Sequence, residues 1–387
     1  MLHVLYFVHD LSDPSVRRRV ITLQAGGASV TLAGFRRGKP VAAFEGVVPI
    51  ELGVTSDGRF AQRLGAVAKA ALLLGDKLLS APRPDVIIGR TLEMLGLANR
   101  AKTIFGGDIP IVYECLDIHR LMLRGDPIGK AMRATERTLG RKASLLLTSS
   151  PAFIREYFER YGQIDAPIVL VENKVLELDA SRQAPLQQPA AGEPWKIGWF
   201  GALRCRKSLA LLAEFTRSME GRFEVVLRGR PAYREFPEFD SFVAGEPFMR
   251  FEGSYKNPED LAEIYAGVHF SWAIDFFEEG LNSSWLLPNR LYEGCRYGVV
   301  PIAMQGTETG RFIAERRLGL LLNEASSASL AATVAHINAE TYALERRKVA
   351  AQEKSVWITD RADCRALVER LGALIAAPQS NPMLQAA

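Results

Sequence analysis

The sequence predicts a two-domain α/β protein in which each domain is built on a doubly wound parallel sheet. Short apolar runs rich in Val, Ile and Leu alternate with longer helical patterns over most of the 387 residues. These runs lack the apolar–polar alternation of half-exposed strands, as expected of strands buried on both faces. Strands separated by helices need right-handed crossovers, which produce parallel sheets. A chain of this length can bury two separate cores.

The alternation of apolar runs and helical patterns predicts the strands and helices of both domains. The first domain, residues 1–178, has predicted strands at 2–8, 29–35, 47–53, 85–89, 110–114, 144–149 and 168–172, and helices that include 16–25 and 59–80. The second domain, residues 195–356, has predicted strands at 195–201, 223–229, 248–253, 268–274, 299–304 and 318–322. Residues 179–194 are rich in Pro, Gln and Ala and are predicted to be a linker. We expect a C-terminal helix near 357–376 to pack back on the first domain.

Composition narrows the class of protein. A formal net charge of +4 is too small to indicate nucleic-acid binding. Basic residues crowd the first third, which favours an anionic partner there, either a phosphate or an acidic membrane surface, with a solvated helix face as the alternative. The four cysteines are far apart and form no C-x-x-C pair, so we expect neither disulfides nor a zinc site. No apolar run reaches the roughly 20 residues of a membrane span. We expect a cytoplasmic protein, either soluble or peripheral to the cytoplasmic membrane.

Residues 285–303 carry the strongest functional pattern. Pro288 is suited to open a helix and Gly298 to end it, with a buried strand following. A helix N-terminus offers free N–H groups and a positive dipole end to a phosphate, and Arg290 adds a cation. Glu293 lies one turn after Asn289, where its carboxylate can accept both hydrogen bonds of a ribose diol. The alternative is a surface helix with a chance acidic residue.

Residues 197–209 carry a second pattern. A predicted strand runs into Gly201, where the backbone can approach a ligand, and three cations follow before the next helix. Arg204 and Lys207 are therefore candidates to neutralise a diphosphate leaving group. Basic loops between strands and helices are common, so the pairing with the helix at Pro288 strengthens this interpretation.

Together these segments resemble the nucleotide-sugar domain of glycosyltransferases of the GT-B fold, especially the large family 4 type. The family's P-N-K/R-L-Y-E segment is matched by Pro288-Asn-Arg-Leu-Tyr-Glu293, followed by Gly298 and Val300-Pro301. The resemblance implies two Rossmann-like domains that face each other across a cleft. It also implies a donor site: Glu293 on the ribose, Gly201, Arg204 and Lys207 by the diphosphate, Gly253 near the base, and Asn289 and Arg290 in the same pocket.

Two positions depart from the family pattern. Retaining members have an acidic residue eight positions before the ribose glutamate, and this chain has Trp285 there. The acids Asp275, Glu278 and Glu279 lie too far upstream to be in register. Ala202 stands where the family usually has Arg, and Arg204 is a substitute for it. Both departures leave open whether the transfer retains or inverts the anomeric configuration.

The acceptor side is predicted in the first domain. Glu114, Asp117 and His119 follow a buried strand, and an inverting transfer needs a base for the acceptor hydroxyl. In a retaining transfer the same residues would hold a sugar, and Asp117 as a helix cap is the structural alternative. His9, Asp10 and Asp13 form a weaker cluster after the first strand. No convincing D-x-D pair is present, so we expect donor binding without a metal or other cofactor.

The helix predicted at 59–80 is amphipathic. Arg59, Arg63 and Lys77 share one face, beside an apolar stripe that contains Phe60, Leu64, Val67, Ala71, Leu74 and Leu78. Packing on its own sheet is one interpretation. The other is a peripheral contact with the inner face of a membrane that holds a lipid-linked acceptor.

The sequence therefore predicts a hexosyltransferase that uses a nucleotide-sugar donor, with UDP-sugar favoured. The expected acceptor is a glycan or lipid-linked saccharide in cell-surface polysaccharide synthesis. A dehydrogenase is disfavoured because no G-x-G-x-x-G follows the first strand, and a serine hydrolase because no G-x-S-x-G is present. Two alternatives remain: a sugar-nucleotide epimerase of the same architecture, and a non-catalytic sugar-nucleotide-binding module.

Overall fold

The computed structural model describes residues 1–38, 40–55, 60–179 and 189–376. It divides into two compact units. Unit 1 contains Met1–Ser149, Phe153–Val171 and the segment from Asp360, and unit 2 contains Ser150–Ala152 and Glu172–Thr359. Most of the predicted linker, 180–188, lies outside the described residues, as does Arg59.

The strands follow the apolar runs of the sequence. They are β1 (His3–Val8), β2 (Ser29–Arg36), β3 (Ile50–Val54), β4 (Val86–Arg90), β5 (Ile111–Cys115), β6 (Ala143–Thr148), β7 (Ile168–Leu170), β8 (Val175–Leu176), β9 (Trp195–Leu203), β10 (Phe223–Pro231), β11 (Met249–Phe251), β12 (Phe270–Trp272), β13 (Val300–Met304), β14 (Leu320–Leu322) and β15 (Ile358–Thr359).

The α-helices occupy most of the stretches between strands. They are α1 (Pro14–Ala25), α2 (Phe60–Lys77), α3 (Leu92–Phe105), α4 (Pro127–Gly140), α5 (Pro151–Phe153), α6 (Arg206–Ser218), α7 (Phe239–Ala244), α8 (Leu261–Ala266), α9 (Asn289–Arg296), α10 (Glu308–Glu315), α11 (Ser327–Val334), α12 (Ala339–Ala350) and α13 (Arg361–Ala376). A π-helical segment, Ile154–Glu159, continues α5.

Unit 1 is a parallel sheet with the order β3-β2-β1-β4-β5-β6-β7. Its central strands are fully buried, which explains their continuous apolar character. The C-terminal helix α13 belongs to this unit and packs on α1. Gly26 at the end of α1 permits this approach, because a Cβ there would lie 2.3 Å from the carbonyl oxygen of Cys364.

Unit 2 is a second parallel sheet, with the order β11-β10-β9-β12-β13-β14. Its core is strongly aromatic, with Trp195, Phe270 and Tyr342 almost completely buried. Trp195 and Tyr342 have ring centroids 5.1 Å apart. A small parallel pair, β8 with β15, was not predicted, because two-residue strands leave no periodic pattern in the sequence.

The strand order of each sheet reverses at one point: between β1 and β4 in unit 1, and between β9 and β12 in unit 2. Open parallel sheets bind ligands outside the carboxyl ends of their strands, at such points. The predicted fold class, α/β with two Rossmann-like domains, is confirmed for the sheets of both units.

Helix α2 agrees only in part with its predicted pattern. Leu74 and Leu78 are buried, as the packed interpretation requires, but Leu64 is 45% exposed. Three further leucines are exposed: Leu72 at 82%, Leu73 at 42%, and Leu79, just beyond the end of the helix, at 82%. Within the residues that the structure describes, no helix is long and apolar enough to cross a membrane.

Candidate functional site

Helix α9 starts where the sequence predicted, with Pro288 as its N-cap residue and Gly298 (φ 75°) just beyond its end. Glu293 is only 3% exposed. Its Oε1 accepts a hydrogen bond of 2.9 Å from the Asn257 amide, and its Oε2 accepts one of 3.1 Å from the Tyr265 hydroxyl. These two bonds fix the position of a carboxylate, a group whose oxygens can each accept more than one hydrogen bond.

Two tyrosines adjoin the Glu293 carboxylate. Burial, and then the charge of Glu293, raise the pKa of Tyr265 well above its ordinary value, so its hydroxyl stays a donor to that carboxylate. The pKa of Tyr255 is also raised, by burial and then by Glu293, while Arg290 and Arg230 oppose the shift. A carboxylate, two phenols and two guanidinium groups therefore share one neighbourhood.

Arg290 is held in the first turn of α9 and is 8% exposed. Its Nη2 donates to the carbonyl oxygen of Ile274 at 2.7 Å and lies 3.9 Å from Asp275 Oδ2. In the described part of the chain its buried Nε has no hydrogen-bond partner. Arg290 thus keeps one buried donor that no described residue engages.

The cations that follow β9 are paired with the loop after β12. Arg204 lies 3.7 Å from Asp275 and stacks over the ring of Phe277. Lys207 Nζ contacts both carboxylate oxygens of Glu279, at 2.6 and 2.7 Å, and both side chains are about half exposed. An exposed pair of this kind contributes little stability, so a more highly charged anion can replace Glu279.

Three glycines meet at the ends of neighbouring strands. Gly201 (φ 117°) is the register partner of Gly229, whose N–H donates to the carbonyl of Gly253 (φ 79°) at 2.9 Å. A Cβ at Gly229 would lie 1.9 Å from the carbonyl oxygen of Gly201, whereas one at Gly201 or Gly253 would meet no described atom within 4 Å. The backbone at Gly201 and Gly253 is therefore open to an approaching ligand.

The structure brings the predicted donor residues to one edge of the unit 2 sheet, since all its strands are parallel and these residues follow strands or open a helix. Asp275 joins Arg204 to Arg290, and Asn289 stands beside Arg290 at the start of α9. The sequence interpretation set Asp275 aside as out of register with the ribose glutamate; its contacts give it a different task, to orient two cations. It also missed Asn257, whose one signal in the sequence was the preceding stretch Gly253-Ser-Tyr.

Glu114, in unit 1, is completely buried. Its oxygens accept hydrogen bonds from the Tyr6 hydroxyl and from Arg19 Nε at 2.6 Å, and Arg90 Nε lies 3.5 Å away. Burial raises the pKa of Glu114, but the charges of Arg19 and Arg90 and the two hydrogen bonds outweigh it and lower the pKa. A carboxylate so held is a weak base.

The other two predicted acceptor residues lie further out, in the segment after β5. Asp117 is exposed. His119 caps a short 3₁₀ helix, because the N–H of Leu121 donates to its Nδ1 at 3.3 Å. Burial and the nearby Arg63 lower the pKa of His119, so its imidazole is neutral at pH 7.

Within the described ranges, no three His, Cys, Asp or Glu side chains are grouped closely enough to hold a metal ion.

The chain is 61% identical over 390 residues to the succinoglycan biosynthesis protein ExoL of Rhizobium meliloti strain 1021, with 99% of this chain and 97% of the relative covered. The chain belongs to the ExoL family. No family model matches the sequence.

Solved structures show the fold that the ExoL family adopts. Sucrose-phosphate synthase from Thermosynechococcus elongatus is similar with a TM-score of 0.74 at 14% identity, over 98% of this chain and 100% of that one. Anabaena HepE, solved in complex with UDP-glucose, gives a TM-score of 0.70 at 14% identity, over 96% of this chain and 100% of that one. These structures confirm the α/β fold with two Rossmann-like domains that the GT-B resemblance implies. The roles of single residues in this ExoL-family chain remain predictions.

Proposed function

We propose that this protein transfers a sugar from a nucleotide-sugar donor, with UDP-sugar favoured, to a glycan or lipid-linked saccharide in cell-surface polysaccharide synthesis. One observation carries the donor assignment: Glu293 is buried one turn into α9, accepts hydrogen bonds from two neutral donors, and lies in the same neighbourhood as Arg290. The name of the ExoL relative, which refers to succinoglycan biosynthesis, supports the acceptor class. HepE, crystallised with UDP-glucose, supports the donor class.

In this proposal the donor diphosphate replaces Glu279 as the partner of Lys207. Arg204 lies just before α6, and Lys207 lies in its first turn. The buried Nε of Arg290 is a further donor for the diphosphate. Negative charge grows on the diphosphate as the glycosidic bond breaks, so these cations stabilise the transition state more than the bound donor. Glu293 binds the ribose, and Gly253 lies by the base.

On the acceptor side we propose Asp117 as the base of an inverting transfer. Asp117 is exposed, so its carboxylate can meet an acceptor hydroxyl from solvent. Glu114 is completely buried, and the charges of Arg19 and Arg90 lower its pKa, so it is the poorer candidate. His119 is neutral at pH 7 and suits sugar binding. The proposed donor set contains no metal, so chelation with EDTA is expected to leave transfer unchanged.

A peripheral contact with the cytoplasmic face of the membrane is part of this proposal. Leu72 and Leu79 are exposed near Lys69 and Lys77, a combination that suits an anionic bilayer surface. Flotation with vesicles rich in anionic lipid tests it. Leu72→Asp is expected to reduce binding, while Leu344→Asp, at a 46% exposed leucine of unit 2, is the matched control.

Incubation with labelled UDP-sugars, with and without a lipid-linked saccharide extract, tests the proposed function. Transfer of label to the extract is the expected result. Isomerisation of the donor without an acceptor would indicate the epimerase, and binding without turnover would indicate the non-catalytic module.

A further inference from the structure

The crevice between β1 and β4, where the strand order of unit 1 reverses, contains polar groups that the proposed chemistry does not use. Phe7 and Gly89 are register partners in these two strands. His9 and Thr91 each follow two residues later, and Arg90 is the last residue of β4. All three therefore lie at the carboxyl end of the sheet, where ligands bind in open α/β folds.

Arg90 is held in place by the buried Glu114 carboxylate. It is 4% exposed, and its Nε lies 3.5 Å from the Glu114 carboxylate, which Tyr6 and Arg19 also bind. The N–H of Thr91 donates to the carbonyl oxygen of Glu114 at 3.0 Å. These contacts fix the positions of Arg90 and Thr91 before any ligand arrives.

Three buried polar atoms at this point have no hydrogen-bond partner among the described residues: His9 Nδ1, Arg90 Nη1 and Thr91 Oγ1. Burying such an atom unpaired is unfavourable, and proteins rarely leave several together. Thr91 also has φ 80° and ψ 165°, a backbone region that normally requires glycine. Thr91 therefore places a hydroxyl side chain at a position where its backbone is strained and glycine would not be.

The charges around the crevice cancel. Arg90 faces Glu114 and Asp13, and Arg19 also binds Glu114. Arg37 lies 3.7 Å from Asp10, so three cations face three carboxylates. Burial, opposed in part by Asp13, lowers the pKa of His9 to about 4, so it is uncharged at pH 7. A balanced site of this kind offers little net attraction to an anion. Its unpartnered groups are the donors on Arg90 and Thr91 and the His9 nitrogen, which can accept. Neighbouring hydroxyl groups of a sugar both donate and accept, so they can bind all three atoms.

We propose that His9, Arg90 and Thr91 form a subsite for a neutral sugar ring of the saccharide acceptor. Arg90 Nη1 and the Thr91 hydroxyl donate to ring hydroxyl oxygens, and neutral His9 accepts from one of the hydroxyl groups. This proposal rests on the proposed transferase function, because it assigns the sugar to the acceptor.

Saturation-transfer NMR of the full chain tests the subsite without any turnover. The probes are neutral methyl hexopyranosides, with methyl glucuronide and inorganic phosphate as charged probes. Thr91→Val keeps the shape and removes the hydroxyl, so affinity for a neutral glycoside is expected to fall about threefold to tenfold. Thr138→Val, which removes an exposed hydroxyl of α4, is the control and should leave affinity unchanged. Equal binding by both variants, or a preference for the charged probes, would overturn the proposal.

Thr91→Gly separates binding from folding. It relieves the backbone, so its melting temperature should rise while glycoside binding falls; a variant that binds the probe as the wild type does would refute the subsite. In the transfer assay, Thr91→Val should raise the acceptor KM and leave the donor KM unchanged. A rise in the donor KM alone would assign the sugar to the donor and overturn the acceptor assignment. Absence of all transfer would refute the proposed function, while the NMR result still decides whether the sugar subsite exists.

Discussion

Glu293→Gln tests the donor site most sharply. Alanine would leave the Asn257 amide and the Tyr265 hydroxyl buried without an acceptor, at about 1–3 kcal/mol each, and would confuse binding with stability. Glutamine keeps the shape and one acceptor oxygen but removes the charge. Hydrogen bonds to a charged group are worth about 1 kcal/mol more than neutral ones. With two ribose hydroxyls, Glu293→Gln should lose about 2 kcal/mol of binding free energy, which raises the Kd for UDP about 30-fold.

Titration calorimetry with UDP and with 2′,3′-dideoxy-UDP makes this prediction specific to the ribose. The wild type should lose affinity for the dideoxy nucleotide, and Glu293→Gln should lose far less, because the partner of the missing hydroxyls is already weakened. Glu263→Gln, an exposed glutamate in the first turn of α8, is the matched control. If the dideoxy penalty is the same in the variant and the wild type, Glu293 does not bind the ribose.

Four further results are expected. Lys207→Met should lower turnover more than it weakens uridine binding, because its charge acts on the diphosphate; unchanged turnover would make the loop structural. Asp117→Asn should leave donor affinity intact and cut turnover by roughly 10²–10⁴-fold, with an inverted product; a retained configuration would remove the base role. Burial lowers the pKa of His9 from 6.5 to about 4, so the free energy of unfolding should fall as the pH drops from 6.5 to 4, by at most about 3 kcal/mol. Denaturant titrations of His9→Asn should show a smaller fall over the same pH range. Gly229→Ala should destabilise the fold and reduce UDP binding, since its Cβ would collide with the Gly201 carbonyl; a wild-type melting temperature would contradict this.

Local chemistry made much of the fold predictable. Buried parallel strands give continuous apolar runs, and Pro288 and Gly298 mark the two ends of α9 by their backbone preferences alone. The same reasoning identified the glycine and the cations after β9. These features depend on residues close together in the chain, which is why a single sequence carries them.

Long-range partners could not be predicted in this way. Asn257 lies 36 residues before Glu293, and nothing local indicates that its amide holds that carboxylate. Asp275 was judged by its spacing to the ribose glutamate, whereas its contacts with Arg204 and Arg290 depend on sheet order. The outward leucines of α2 were likewise hidden, because an amphipathic pattern does not reveal which leucines the neighbouring sheet covers.

Acceptor-dependent release of UDP tests the central claim most directly. Purified protein is given a UDP-sugar with and without the lipid-linked saccharide extract, and UDP released is compared with sugar transferred. We predict equal amounts of both, only when the acceptor is present, and a large loss of both in Asp117→Asn and Glu293→Gln. Release of UDP at the same rate without acceptor, or no release with any nucleotide-sugar and acceptor extract, would contradict the assignment of this chain as a polysaccharide glycosyltransferase.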